Sequence, residues 1–129
     1  MKFPYQLFDG EYLPIIPIAL KSKEEWIDFD VYIDTGASSC LFSADVAEML
    51  GIPLEQGEIK KMTLGDGNTL TVYIHNLLIS VAGREFVAPV GFSKGLGISF
   101  AILGRKGIFD HFVICFLERE KMIEFTPLN

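Results

Sequence analysis

Only one stretch of this sequence spaces its apolar residues as a helix does, and it is short. Ser43 suits an N-cap, Asp45 falls in the first turn, Val46, Ala47 and Leu50 share a face, and Gly51 with Pro53 ends the run. A second short turn is predicted over Lys106 to His111. The rest reads as strands, short β-branched and aromatic runs bounded by Gly, Asp, Asn and Pro. Many short strands with one clear helix predict an all-β architecture, barrel or sandwich-like. At 129 residues the chain is expected to form one domain, residues 1–129, because two halves would each be too short to bury a sizeable core.

The strand pattern is specific enough to place elements. Tyr12 to Leu20 is apolar apart from Pro14 and Pro17, and proline, which cannot donate to a ladder, favours an edge. After a polar turn at Lys21 to Glu25, Trp26 to Ile33 alternates Phe29, Val31 and Ile33 against Asp28, Asp30 and Tyr32, a half-buried strand. Met62 to Val81 reads as a long hairpin with Gly65-Asp66-Gly67-Asn68 at its tip, where Asp-Gly supplies the positive φ of a tight turn. Phe112 to Leu117 and Met122 to Phe125 form a last hairpin around Glu118 to Lys121.

Composition narrows the function classes. Half the residues are hydrophobic and 11 are Phe, which excludes a disordered chain. No apolar run approaches the roughly 20 residues that span a bilayer, and Pro4 and Asp9 interrupt any secretory core, so a cytoplasmic protein without a membrane partner is expected. With 11 Lys and Arg against 17 Asp and Glu, the net charge of −6 repels phosphate backbones, which argues against nucleic acid as a partner. Cys40 and Cys115 both lie in apolar surroundings and read as buried thiols rather than as a disulfide.

Chemistry concentrates where the alternating strand ends. Val31-Tyr32-Ile33 runs directly into Asp34-Thr35-Gly36-Ala37-Ser38-Ser39, an acid followed by a hydroxyl residue and small neighbours. Activating a water needs a carboxylate on a rigid support with room for backbone and substrate to approach. A bare Asp-Thr-Gly also suits an ordinary turn, so the tripeptide alone is not specific.

Its context is. Tyr32 to Ser38, the helix ending at Leu50-Gly51-Ile52, the hairpin tipped by Gly65-Asp66-Gly67, and Ile102-Leu103-Gly104 followed by Arg105 occur in the order found in one family. Over roughly residues 10 to 127 the chain resembles a retropepsin-like aspartic protease of the bacterial, cellular kind. That resemblance implies a single-lobe acid-protease barrel and an aspartic endopeptidase acting on polypeptides with no cofactor and no metal. Asp34, Thr35 and Gly36 would be the catalytic motif, with Thr35 hydrogen-bonding across a two-fold axis. Ala37 and Ser38 would contact the substrate backbone, Gly65, Asp66 and Gly67 would form the flap tip, and Phe100 and Ile102 would line side-chain pockets. The mechanism needs two carboxyls, and this sequence holds a single Asp-Thr-Gly and no Asp-Ser-Gly, which implies a homodimer. Retroviral members carry an acid where this chain has Ser38, paired with the arginine at the position of Arg105, and that pairing is lost here.

Alternatives carry less. A non-catalytic dimeric peptide-binding module on the same fold has the same sequence signature. Gly91-Phe92-Ser93-Lys94-Gly95 with Asp110 and His111 mimics a serine hydrolase, but the residues after it are poor helix formers. His75, His111 and the cysteines lack zinc-ligand spacing. The glycines from Gly91 to Gly107 match no phosphate loop and read as loops.

Overall fold

A computed structural model describes residues 1–63, 65–96 and 101–129. In chain order the elements are β1 (Lys2–Pro4), β2 (Gln6–Phe8), β3 (Glu11–Leu13), β4 (Ile15–Lys21), β5 (Trp26–Ile33), β6 (Cys40–Ser43), α1 (Ala44–Met49), β7 (Glu58–Thr63), β8 (Thr69–Val81), β9 (Arg84–Ser93), β10 (Ala101–Leu103), β11 (Phe112–Leu117) and β12 (Met122–Pro127). Short 3-10 turns cover Leu54–Gln56, Phe109–His111 and Glu118–Glu120.

The largest sheet has the order β4-β5-β10-β6-β9-β8-β7, and a further pairing of β4 with β8 closes it into a barrel that leaves β7 outside the ring. Closure places Pro17 informatively. Only Ala19 and Leu20 of β4 pair with β8, so Pro17 lies on the stretch whose one partner is β5, where no donor is missed. The edge expected from its prolines is therefore half an edge. Pro14 separates β3 from β4, and its carbonyl accepts from Ile33 N–H at 2.9 Å.

Fully buried Phe42, Phe92, Ile16, Leu20, Ile33, Val31 and Leu103 fill the barrel. Each such side chain contributes about 2–3 kcal/mol of transfer free energy, and edge-to-face packing of Phe29 on Phe42, 5.7 Å between centroids, fixes their arrangement. Helix α1 follows the sequence reading closely. The Ser43 hydroxyl accepts from Asp45 N–H at 3.3 Å, Ala47 and Leu50 are buried, and Gly51 takes φ +73°.

Two stretches differ from the sequence reading. The glycines from Gly91 onward were expected in loops, yet Gly91 is a buried residue of β9. A Cβ there would stand 2.6 Å from Val72 and 3.0 Å from the Cys40 carbonyl oxygen, so the glycine permits β6 and β8 to crowd it. Strand β9 pairs with β8 from Tyr73↔Phe92 to Val81↔Arg84 around a turn at Ala82 and Gly83, both with positive φ. The hairpin arm begins at Glu58 rather than Met62, and pairs with β8 from Glu58↔Ile74 to Thr63↔Thr69.

The chain ends meet in a separate sheet ordered β1-β12-β11. The terminal ammonium donates to Phe125 O at 2.8 Å, and Phe3 packs edge-on against Phe125. Of the two cysteines, Cys40 is buried as expected, whereas Cys115 is exposed on β11. Pairing of Cys115 with Glu124 on β12 puts it in a sheet with a solvent face, which its apolar neighbours in sequence did not reveal. No helix among the described residues is long and apolar enough to cross a membrane.

Candidate active site

Asp34 is the first residue after β5, held from both sides by the sheet. On one side Ile33 N–H reaches Pro14 O, and on the other Asp34 N–H donates to Leu103 O at 3.1 Å. Its own carbonyl accepts from Ala37 N–H at 3.2 Å, closing a tight turn. Within that turn Gly36 N–H donates to Asp34 Oδ1 at 2.9 Å. A Cβ on Gly36 would lie 3.3 Å from the same oxygen, so glycine keeps the carboxylate uncrowded. The result is a half-buried acid whose position is fixed, among the described residues, by bonds to backbone groups, next to exposed Thr35.

The two sequence signatures meet physically. Strand β10 runs parallel to β5 in the register Ile102↔Tyr32 and Leu103↔Ile33. Immediately beyond it, Arg105 N–H donates to Ala37 O at 3.0 Å and Lys106 N–H to Ser38 O at 2.9 Å. Residues 103 to 106 thus brace the whole turn from Asp34 to Ser38. Ile102, half-buried, packs on Leu41, Leu70 and Val72 at the base of the β7–β8 hairpin. Gly65, Asp66 and Gly67 are exposed at that hairpin's tip, where Asn68 N–H donates to Asp66 Oδ1 at 3.0 Å. Phe100 lies outside the described residues.

Asp34 and Thr35 open onto a cleft of about 630 Å³. Its far walls come from residues remote in sequence: Tyr5, Glu11, Tyr12, Phe116, Glu118 and Lys121. Tyr5 donates its hydroxyl to Glu118 Oε1 at 3.0 Å, and Lys121 Nζ lies 2.8 Å from Glu118 Oε2. Burial, then the bond to anionic Glu118, pushes the Tyr5 phenol up to about 12. Lys121, then Tyr5, holds the Glu118 carboxyl below its usual value. Nothing in the local sequence marks these groups. They share the Asp34 cleft although they come from segments remote in sequence, and Tyr12 and Phe116 remain exposed beside it.

The other motifs resolve into structural roles. Ser93 is 1 % exposed and donates its hydroxyl to Thr71 O at 2.8 Å, so no nucleophile is presented there. His111 stacks on Phe86 with centroids 3.9 Å apart, and His75 Nε2 lies 3.0 Å from Leu54 O. Burial raises the Cys40 thiol to about 11.

An acid fixed at a strand end and braced by a second apolar-apolar-Gly segment is reflected in the comparisons. The aspartyl protease family matches residues 25–94, more than half the chain. The chain belongs to the aspartyl proteases. Among solved structures, the retropepsin-like aspartic protease from Rickettsia conorii is 19% identical, with a TM-score of 0.66 over 95% of this chain and 97% of that one. EIAV protease in complex with the inhibitor HBY-793 is 20% identical, with a TM-score of 0.54 over 78% and 88%. The retroviral protease-like domain of Ddi1 from Leishmania major is 12% identical, with a TM-score of 0.62 over 91% and 94%. At these identities the likeness establishes the retropepsin-like fold. No curated protein sequence matches the chain.

Proposed function

We propose that this aspartyl protease family member is a homodimeric aspartic endopeptidase of one domain, residues 1–129, acting on polypeptides in the cytoplasm without a cofactor. The observation that carries this reading is the single braced Asp34, exposed toward a cleft whose rim bears uncovered Tyr12 and Phe116. One carboxyl is half of the required pair, and a second copy related by a two-fold axis through this face supplies the other.

Two carboxyls in contact share one proton, because both cannot ionise cheaply, and the roles then separate; the general class is a standard example of this effect. The ionised carboxylate takes a proton from a water whose oxygen attacks the scissile carbonyl carbon. The protonated partner gives its proton to the carbonyl oxygen. The gem-diol so formed breaks its C–N bond as the carboxyl that took the water's proton gives it to the departing amine and the other carboxylate takes a proton back from a diol hydroxyl, so the pair ends with the one proton it began with. Thr35 braces the pair across the axis and Gly36 leaves the carboxylates open. Ala37 and Ser38 meet the substrate backbone, the hairpin tip at Gly65, Asp66 and Gly67 closes over it, and Ile102 with Phe100 lines side-chain pockets.

Asp34→Asn tests the reading with little disturbance to the turn, because an amide oxygen can still accept from Gly36 N–H. Peptide cleavage should fall by at least about a thousandfold while peptide binding persists. A wild-type protein that binds peptides and cleaves none of a diverse library would instead make this a peptide-binding module on the protease fold.

A further inference from the structure

A depression of about 390 Å³ beside the Asp34 turn is lined by Ser38, Ser39, Lys60, Arg105, Lys106 and Asp110. Three cations converge there on a protein of net charge −6, so the field is local and opposite to that of the whole molecule. None of the three is in an ion pair. Among the described residues the side-chain ion pairs are Lys94–Glu55 and Lys121–Glu118, and the side chains of Lys60, Arg105 and Lys106 make no hydrogen bond. Asp110, on the same wall, offsets one of the charges without lying within ion-pair distance of any.

The placement ties this charge to the active site. Arg105 and Lys106 are pinned through their backbone N–H groups to Ala37 O and Ser38 O, so two of the cations lining the depression are anchored in the brace of the catalytic turn. Lys60 comes from the opposite side, on β7 of the hairpin. Its neighbour Lys61 spends its ammonium on Thr71 at 2.6 Å, and Lys60 does not. Ser38 and Ser39 add hydroxyls and no carboxylate that would pair with Arg105.

The geometry points to a specificity subsite that takes an anionic side chain of the peptide substrate. A single carboxylate or phosphoryl group fits two or three converging donors of this kind. An extended polyanion does not suit the surrounding acidic surface. This rests on the endopeptidase reading for its kinetic test but not for its binding test.

A peptide that the protein cleaves is resynthesised with Glu, Gln or phosphoserine at each of about four positions on either side of the scissile bond. At one position kcat/KM for Glu should exceed that for Gln by about tenfold in low salt, and the ratio should fall toward one at about 0.5 M salt. A phosphoserine preference exceeding that for Glu would assign the same site to phosphorylated chains. Lys60→Met, Lys106→Met and Arg105→Met, each checked for an unchanged melting curve, should lower the ratio severalfold. A ratio below about two at every position, or one that survives in all three variants, overturns the subsite and leaves the protease reading standing. If no peptide is cut, dissociation constants of the same peptides by fluorescence anisotropy give the ratio instead. A charge preference there keeps the subsite while the endopeptidase reading falls, and its absence removes both.

Discussion

Gly104 and Ser39 are in backbone contact: a Cβ on Gly104 would overlap the Ser39 carbonyl oxygen and stand 2.5 Å from its carbon and 2.7 Å from its nitrogen. The glycine of the second signature is therefore dictated by packing, since the strand segment after β10 must pass directly under the turn that carries Asp34. The end of β10 supplies Leu103 O to Asp34 N–H, and the segment after it supplies the Arg105 and Lys106 amides to Ala37 and Ser38. Stability and site geometry share one set of contacts.

Gly104→Ala cannot be relieved by a rotamer, because the atoms it meets are backbone. The substitution should cost about 3 kcal/mol or more, a fall in Tm of roughly 10 °C for a chain of this size. Thermal denaturation of purified protein checks this, and a Tm within about 2 °C of wild type would contradict the brace.

The Tyr5–Glu118–Lys121 cluster makes stability depend on pH in two directions. Glu118 titrates below its usual value in the fold, so its contribution is present at neutral pH and is lost as pH falls through that lowered value. Tyr5 is raised to about 12 against about 10 unfolded, so its contribution holds below pH 10 and is lost as pH rises toward 12. Glu118→Gln should flatten the acid limb of Tm against pH. Tyr5→Phe should remove part of the alkaline loss between about pH 10 and 12. Unchanged limbs in both variants would show that the cluster does not form in solution.

Much of this fold was legible in the sequence because local chemistry and final position agree. Trp26–Ile33 alternates as a strand with one buried face does, and the structure gives it those bounds. Ser43, Gly51 and, at the hairpin tip, Gly67 hold the backbone their residue types favour, whereas Asp66 does not take the positive φ expected of the Asp-Gly pair. Strand β9 was missed because Gly91 and its neighbours look like loop, and only the crowding of Val72 and Cys40 around Gly91 explains a glycine inside a strand. At the site, Asp34 to Ser38 and Ile102 to Gly104 announced themselves. Tyr5, Tyr12, Phe116 and Glu118 did not, since they come to the cleft from segments remote in sequence and no local pattern encodes that. Lys60 joins Arg105 in the same way, across a sequence separation of 45 positions.

The central claim is that each active site takes Asp34 from two copies, and subunit mixing tests it most directly. Wild-type protein at fixed concentration is equilibrated with increasing Asp34→Asn protein and cleavage is followed. If both carboxyls are needed, a ninefold excess of the variant leaves about one tenth of the wild-type chains in intact pairs, and activity falls to roughly that level. Activity that stays constant as the variant is added would mean that one Asp34 suffices, and the shared pair would have to be abandoned.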